Sequence, residues 1–246
     1  MEDATPDHVM AGHTPWLGRT KVLVAIIWRP APGRAWAHHV TTAHWHSVLP
    51  GTDVIDVDTD VEPFNRAACR NAGVRLAEQN DADVVILSDA DILVEPAPVR
   101  AAITQAATSG QVHLPYTELR SLQTTGSSEY SAGVPLPACH AVTVDQAAGG
   151  VYVTAAATWW SLGGQDTRFR GWGFEDASFD LAHRTLMGTP PKRHNGRAYT
   201  LHHPEAVKEG AQYEANLALC KRYHRASGDR AAMQALISES RGQGQP

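Results

Sequence analysis

The sequence lacks several features that would each point to a particular class of protein. Its three cysteines, Cys69, Cys139 and Cys220, are far apart and odd in number, so they predict neither a disulfide framework nor a Cys-x-x-Cys metal site. No apolar run is long enough to span a membrane, and residues 1–20 form a polar leader without the apolar centre of a signal peptide. We therefore expect a cytoplasmic protein.

Positive charge is also scarce. The chain has 21 Lys and Arg against 26 Asp and Glu, which gives a formal net charge of -5 over 246 residues. Proteins that hold nucleic acid through its phosphates carry a basic surface, so we expect no such surface here. Apolar residues make up 43% of the chain, which is enough for an ordinary core, and no repeat or low-complexity linker divides it.

Strand-like and helix-like segments alternate along the first half of the chain. The run "KVLVAIIW" (21–28) is continuously apolar and rich in β-branched residues, which is typical of a parallel strand buried on both faces. Further strands at 53–57, 82–88 and "QVHLPY" alternate with helices at 35–49, 63–80 and 96–110. This order predicts an α/β fold with a mostly parallel central sheet flanked by helices.

The second half is less regular. Residues 117–148 are rich in Ser, Thr, Gly and Pro and are predicted to be a long functional loop. Then follow a strand in "GGVYVTA", a short helix in "ATWWSLGG", the loop "QDTRFRGWG", a helix at 174–188 and a strand in "RAYTLHHP". We expect a single domain over 21–208, helices over 209–240 packed on it, and a flexible tail at 241–246.

Two carboxylates, Asp89 and Asp91, follow the buried strand of residues 82–88. Residues i and i+2 of an extended segment point to the same side, and sites in open α/β sheets form beyond the carboxyl ends of strands. Both carboxylates could therefore bind one Mg²⁺ or Mn²⁺, which take oxygen ligands and often share them with phosphates. A solvated pair at the strand end is the alternative. An aspartyl nucleophile for phosphoryl transfer fits less well, because no suitable lysine follows.

Two adjacent acids, Glu175 and Asp176, lie where Gly171-Trp172-Gly173 leads into a helix. Carboxylates in a first helical turn are favoured by the helix dipole, so capping is one interpretation. The other is catalytic, because a carboxylate beside an aromatic ring can take a proton from a sugar hydroxyl while the ring stacks on the sugar.

Segments in order between residues 21 and 204 resemble the β-1,4-galactosyltransferases and, more distantly, the catalytic domains of polypeptide N-acetylgalactosaminyltransferases and chondroitin-type polymerases. They are "IIWRPAPGRAWAHHVTTAHWHSVLP", "FNRAACRNAG", "ILSDADILVEP" and "GGVYVTAAATWWSLGGQDTRFRGWGFED". The resemblance implies a GT-A fold and a glycosyltransferase that moves a sugar from a nucleotide sugar, expected to be UDP-linked, to an acceptor hydroxyl. It also implies Mn²⁺ or Mg²⁺ as cofactor.

The resemblance further implies which residues bind the donor. These are Arg29 and Arg34 at the diphosphate, Phe64 and Arg66 around the base and ribose, and Asp89 at the ribose or the metal. A solvated position is the alternative for Arg34, because its loop is longer than that of the family.

The metal site implied by the resemblance comprises Asp91 and a histidine after the predicted base helix. His202 and His203 are both candidates, and since side chains alternate along a strand only one of them can face the metal. We favour His203. The histidines at 38, 39, 44 and 46 form no i, i+4 pair and are interpreted as packing or surface residues.

On the acceptor side, the resemblance implies Asp176 as the catalytic base of an inverting displacement and Glu175 as a residue that holds acceptor or donor. It also implies Trp172 as the stacking platform, counted with the residues that bind the nucleotide sugar. The galactosyltransferase motif continues with two further acids, whereas this chain has Ala177 and Ser178. The acceptor is therefore expected to differ, and a saccharide, a protein side chain, a lipid-linked sugar and a modified nucleobase all stay open. A retaining transferase and a non-catalytic nucleotide- or sugar-binding module are the alternative functions.

Overall fold

A computed structural model describes residues 20–145, 147–204 and 208–242, so most of the predicted leader and the end of the predicted tail lie outside the described residues. The first elements are β1 (Val22–Ile27), α1 (Ala35–Val48), β2 (Asp53–Val57), α2 (Arg66–Gln79), β3 (Val84–Asp89), β4 (Ile92–Val94), α3 (Pro96–Ser109) and β5 (His113–Leu114). They are followed by β6 (Glu118–Ser121), α4 (Gln123–Ser131), β7 (Val142–Val144), β8 (Val151–Thr154), α5 (Ala156–Ser161), α6 (Glu175–Met187), β9 (Lys192–Arg193), β10 (Arg197–Thr200), α7 (Ala211–Ala226) and α8 (Arg230–Gly242).

The central sheet has the strand order β2-β1-β3-β8-β5-β9 and is flanked by helices, which confirms the predicted α/β class. The pairs β1–β2, β1–β3 and β5–β9 are parallel, whereas β8 is antiparallel to both β3 and β5. The sheet is therefore parallel at the end that carries the predicted donor residues and mixed beyond β3. A continuous apolar run indicates burial on both faces but does not encode strand direction.

A second sheet has the order β4-β10-β6-β7, and two of its strands, β6 and β7, lie in the segment predicted as a loop over 117–148. That prediction was wrong in detail, because the segment contains β6, α4, a 3₁₀ turn at Leu136–Ala138 and β7. The strands are three or four residues long, and β6 and β7 are half-buried or exposed, so they lack the apolar alternation that identifies longer strands.

Helix α2 begins at the predicted site residue Arg66 and packs closely on the sheet. Its N-cap is Asn65, whose side-chain Oδ1 accepts a hydrogen bond from the Ala68 amide at 2.9 Å. Gly73 allows the close packing, since a methyl group built on it would lie 2.9 Å from Ala25 Cβ of β1. The helix follows β2, so it starts at the carboxyl ends of the parallel strands, and it faces the loop that follows β3.

The C-terminal helices pack on the domain through apolar residues of the main core and through a polar cluster. Arg168 pairs with Asp166 at 2.7 Å and with Glu239 of α8 at 3.0 Å, and Asp166 also accepts from the hydroxyl of Tyr223 in α7 at 2.9 Å. Both helices thus contact the loop that leads to Gly171-Trp172-Gly173. Within the described ranges, no helix combines the length and the apolar character needed to cross a bilayer.

Candidate active site

A cavity of about 160 Å³ opens at the carboxyl ends of β1 and β3. The predicted residues that line it are Arg29, Arg34, Phe64, Arg66, Asp89, Asp91 and His203. A second cavity, of about 450 Å³, shares Asp91 and His203 with the first and is also lined by Trp172, His202 and Lys208. The structure therefore places the predicted donor residues together and puts the Trp172 region on the other side of Asp91.

Asp91 and His203 are in direct contact. Asp91 Oδ2 lies 2.7 Å from His203 Nε2, and His203 Nδ1 lies 2.8 Å from the carbonyl oxygen of Pro204. The hydrogen bond to Asp91 raises the pKa of His203 above its ordinary value. His202 is exposed and lines only the larger of the two cavities. Of this histidine pair, His203 is thus the one beside the carboxylate.

Arg34 also reaches this pair, since its Nη2 lies 2.9 Å from His203 Nδ1. Across the part of the chain that the structure describes, no group of three or more His, Cys, Asp or Glu side chains is placed to hold a metal ion. Asp91 and His203 therefore offer a metal ion two protein ligands and not a complete coordination shell.

Asp89 does not join Asp91 and His203 but turns to helix α2. Its Oδ1 accepts a hydrogen bond from Arg70 Nη2 at 2.7 Å. Burial raises the pKa of Asp89, and the Arg70 guanidinium opposes this shift. The two carboxylates at the strand end thus have different partners.

Arg29 is already paired in the structure. Its Nε and Nη2 donate to the two carboxylate oxygens of Asp58 at 2.6 and 2.7 Å, and its Nη1 lies 2.7 Å from Glu62. The guanidinium carbon also lies 5.2 Å from the centre of the Phe64 ring. Arg29 and Phe64 therefore form one wall of the smaller cavity, and any contact of Arg29 with a diphosphate would compete with Asp58.

Arg66 links the donor cavity to the first turn of α6. Its Nη2 lies 2.8 Å from Glu175 Oε1, and the Glu175 side chain is only 4% exposed. Burial raises the pKa of Glu175 despite the attraction of Arg66. Glu175 thus lies beneath the site as the partner of a donor-side arginine.

The carboxylate of Asp176 is held by one of its two oxygens. Oδ1 accepts hydrogen bonds from Arg70 Nη1 at 2.5 Å, Tyr152 Oη at 2.8 Å and Gln165 Nε2 at 3.2 Å. No donor among the described residues bonds to Oδ2, and the side chain is 26% exposed. Burial raises the pKa of Asp176, but Arg70 and Arg66 outweigh it, so the pKa lies below its usual value.

Gly149 lies directly against this carboxylate. A methyl group built on Gly149 would lie 2.2 Å from Asp176 Oδ2 and 2.3 Å from its Cγ. The carbonyl oxygen of Gly149 accepts a hydrogen bond from Tyr116 Oη at 2.5 Å, which fixes this backbone. Glycine is therefore required at position 149, the first residue of the pair Gly149-Gly150 before β8, because a side chain there would collide with Asp176.

Arg70 lies at the centre of the site and was not among the residues predicted from the sequence. Its side chain is fully buried and bonds to both Asp89 and Asp176. An arginine in mid-helix is normally exposed, so its identity alone gives no signal. The available signal was its i, i+4 spacing from Arg66, which places both cations on one face of α2.

Trp172 belongs to an aromatic cluster beside the larger cavity. Its ring stacks with Tyr213 at 6.1 Å, meets Phe174 edge-on at 6.5 Å, and has Lys208 Nζ 4.9 Å from its centre. The glycines on both sides have positive φ angles, and Phe174 has φ 76°, so the loop is sharply turned before α6 begins. An acceptor that stacks on Trp172 would compete with Lys208 or Tyr213 for its faces.

The fold is that of solved GT-A glycosyltransferases. The chain is similar to the catalytic domain of Drosophila β1,4-galactosyltransferase 7, solved with xylobiose, at 18% identity and a TM-score of 0.54, over 80% of this chain and 79% of that chain. It is also similar to GalNAc-T7, solved with UDP, GalNAc and Mn²⁺, at 10% identity and a TM-score of 0.50. That match covers 90% of this chain and only 55% of GalNAc-T7. No protein-family model matches the sequence, and neither does any curated protein.

Proposed function

We propose that the protein is a metal-dependent glycosyltransferase that moves a sugar from a nucleotide sugar, UDP-linked, to an acceptor hydroxyl. The observation that carries the proposal is that one cavity is lined by Asp89, Asp91 and His203, and that Arg70 joins Asp89 to the carboxylate of Asp176. The two structural neighbours described above are glycosyltransferases, and the structure of one contains UDP and Mn²⁺.

The donor set fits a divalent cation such as Mn²⁺ or Mg²⁺. Asp91 offers a carboxylate oxygen, and the contact of His203 Nδ1 with the Pro204 carbonyl leaves Nε2 as the ligand atom once its proton is displaced. Such ions are commonly bound by one or two protein ligands and complete their coordination with substrate phosphates and water. A cation bound there would neutralise the charge that develops on the departing diphosphate.

The nucleotide would occupy the smaller cavity. Phe64 and Trp28 provide its apolar surface, while Arg34 and Arg66 provide positive charge. Because Arg29 is paired with Asp58, we assign it to the cavity wall in the absence of donor. Arg34 lies beside the Asp91–His203 pair and is a better candidate than Arg29 for a contact with the diphosphate.

Asp176 is suited to act as the base. Its low pKa keeps it ionised near neutral pH, three donors fix Oδ1, and Oδ2 is left to accept a proton from the acceptor hydroxyl. Attack of that oxygen on the anomeric carbon, on the face opposite to the diphosphate, would invert the configuration. Proton NMR of the product would distinguish this outcome from retention.

A panel of nucleotide sugars tests the proposed function. With Mn²⁺ present, the correct donor should raise the melting temperature and should be slowly hydrolysed to the nucleoside diphosphate. Both effects should disappear in EDTA. A protein that binds no nucleotide sugar would contradict the proposal, and one that binds but never cleaves the donor would be a non-catalytic module.

A further inference from the structure

Arg70 is a buried cation between the two sides of the site. Its side chain has no exposed area, one guanidinium nitrogen bonds to Asp89 at 2.7 Å and the other to Asp176 at 2.5 Å. Burying a charge is costly unless it is paired, and here each pairing partner belongs to a different element, β3 or α6. The guanidinium thus spans the distance between the donor-side and acceptor-side carboxylates.

The surroundings of Arg70 show that it has a positional role and not only a charge. Gln165 Oε1 accepts from Nη1 at 3.0 Å, and the guanidinium carbon lies 5.2 Å from the centre of the Tyr152 ring. Gln165 and Tyr152 also donate to Asp176 Oδ1, so the same groups fix both the arginine and the carboxylate. The planar fork of arginine can bind two carboxylates at once, which the single ammonium of lysine cannot do with the same geometry.

The local charge balance depends on this residue. The charged and titratable groups that influence Asp176 from the packed elements are Arg66, Arg70, Asp89, Tyr116, Tyr152 and Glu175. Two of these groups are cations, and together with Asp176 there are three carboxylates. Loss of Arg70 would leave one cation for three carboxylates, and the carboxylates would then take up protons more readily.

We propose that Arg70 is a positioning residue that holds the base carboxylate of Asp176 at a fixed place relative to Asp89 and the donor site. This inference rests on the proposed function. It assigns Asp89 to the anchoring of Arg70 and leaves Asp91 and His203 as the donors for a cation.

The variants Arg70→Met and Arg70→Lys test the inference. We expect Arg70→Met to lower kcat about 100-fold, the loss typical of a misplacement of about 1 Å, while the donor KM changes less than about 3-fold. Loss of the Arg70 cation beside Asp176 should raise the pKa of Asp176. The acid limb of the plot of kcat against pH should therefore move up by about one pH unit or more. Arg70→Lys should restore the acid limb but not the full kcat.

Controls separate positioning from simple loss of structure. Arg75→Met removes a cation from the same helix, one that lies over Trp160, and should leave kcat and the pH profile unchanged. Calorimetric binding of UDP with Mn²⁺ should persist in every Arg70 variant, because Arg70 does not line the donor cavity. The double variant Arg70→Met with Asp89→Asn also removes the charge of the Asp89 carboxylate that Arg70→Met leaves unpaired, and the same kcat and pH-profile assays apply to it.

The outcomes are distinct. If the wild-type protein neither binds UDP with Mn²⁺ nor transfers a sugar, the proposed function fails and the role of Arg70 fails with it. If the wild type is active and folded Arg70→Met matches its kcat and its acid limb, only the inference about Arg70 is overturned. If none of the Arg70 variants folds, the residue is structural and the inference is also overturned.

Discussion

Replacing Gly149 by alanine should misplace the base without removing any functional group. The φ angle of Gly149 is not in the left-handed region, so alanine is compatible with the backbone. Its methyl group, however, would lie 2.2 Å from Asp176 Oδ2. A carbon–oxygen contact is normally about 3.3 Å or more, so the carboxylate must move by about 1 Å. A shift of this size costs about 100-fold in rate, or about 2.7 kcal/mol of activation free energy.

Steady-state kinetics with the nucleotide sugar and Mn²⁺ would measure this effect as a fall in kcat with little change in donor KM, because Gly149 does not line the donor cavity. The control is the same substitution in an Asp176→Ala background, where no carboxylate is left to displace. There Gly149→Ala should have almost no further effect. A similar fall in both backgrounds would refute the idea that Gly149 acts through Asp176.

Three further predictions concern the cation site, the packing of α2 and the response to acid. Asp91→Asn should abolish Mn²⁺-dependent binding of UDP in calorimetry, and unchanged binding would exclude a metal role. Gly73→Ala should destabilise the protein by about 1–3 kcal/mol in denaturant unfolding, because its methyl group would lie 2.9 Å from Ala25 Cβ. If the variant were as stable as the wild type, α2 could move away from the sheet without cost, and the prediction would be wrong. Burial lowers the pKa of His113 to about 4 from an ordinary value of 6.5. The contribution of the neutral, buried His113 to the free energy of unfolding is therefore complete above pH 6.5. It should be lost as the pH falls towards 4, which lowers the free energy of unfolding by about 2–3 kcal/mol. A His113→Asn variant whose stability falls equally over this pH range would contradict that assignment.

The parallel half of the fold could be predicted from the sequence because its signals are local. Strand β1 is a continuous apolar run, and α1, α2 and α3 end within about a residue of the predicted bounds. Strand β8 was found, but its antiparallel direction depends on contacts with β3 and β5 that no local pattern contains. Strands β6 and β7 of the second sheet were missed because they are short and half-buried or exposed, whereas a strand was predicted in the segment that contains β10.

The candidate site was predicted in its residue types and less well in its pairings. Alternation of side chains along an extended segment predicts that only one of His202 and His203 faces Asp91 but not which one, and in the structure it is His203. The bond between Arg29 and Asp58 and the bridge from Arg70 to two carboxylates could not be predicted, because they join elements that are distant in sequence. The bridge from Arg70 depends on how closely α2 packs on the sheet, and the Arg29–Asp58 bond depends on the pairing of β1 with β2.

The most direct test of the account is the turnover of Asp176→Asn beside that of Asp180→Asn. Both residues lie on α6, but Asp180 is half-buried and forms an i, i+4 ion pair with Arg184, away from the Arg70–Asp176 contact. The account predicts that Asp176→Asn lowers kcat for sugar transfer by about 10²–10⁴-fold, the range typical of a general base, while Mn²⁺-dependent donor binding is retained and Asp180→Asn behaves as the wild type. Near-normal turnover of Asp176→Asn would contradict the central claim.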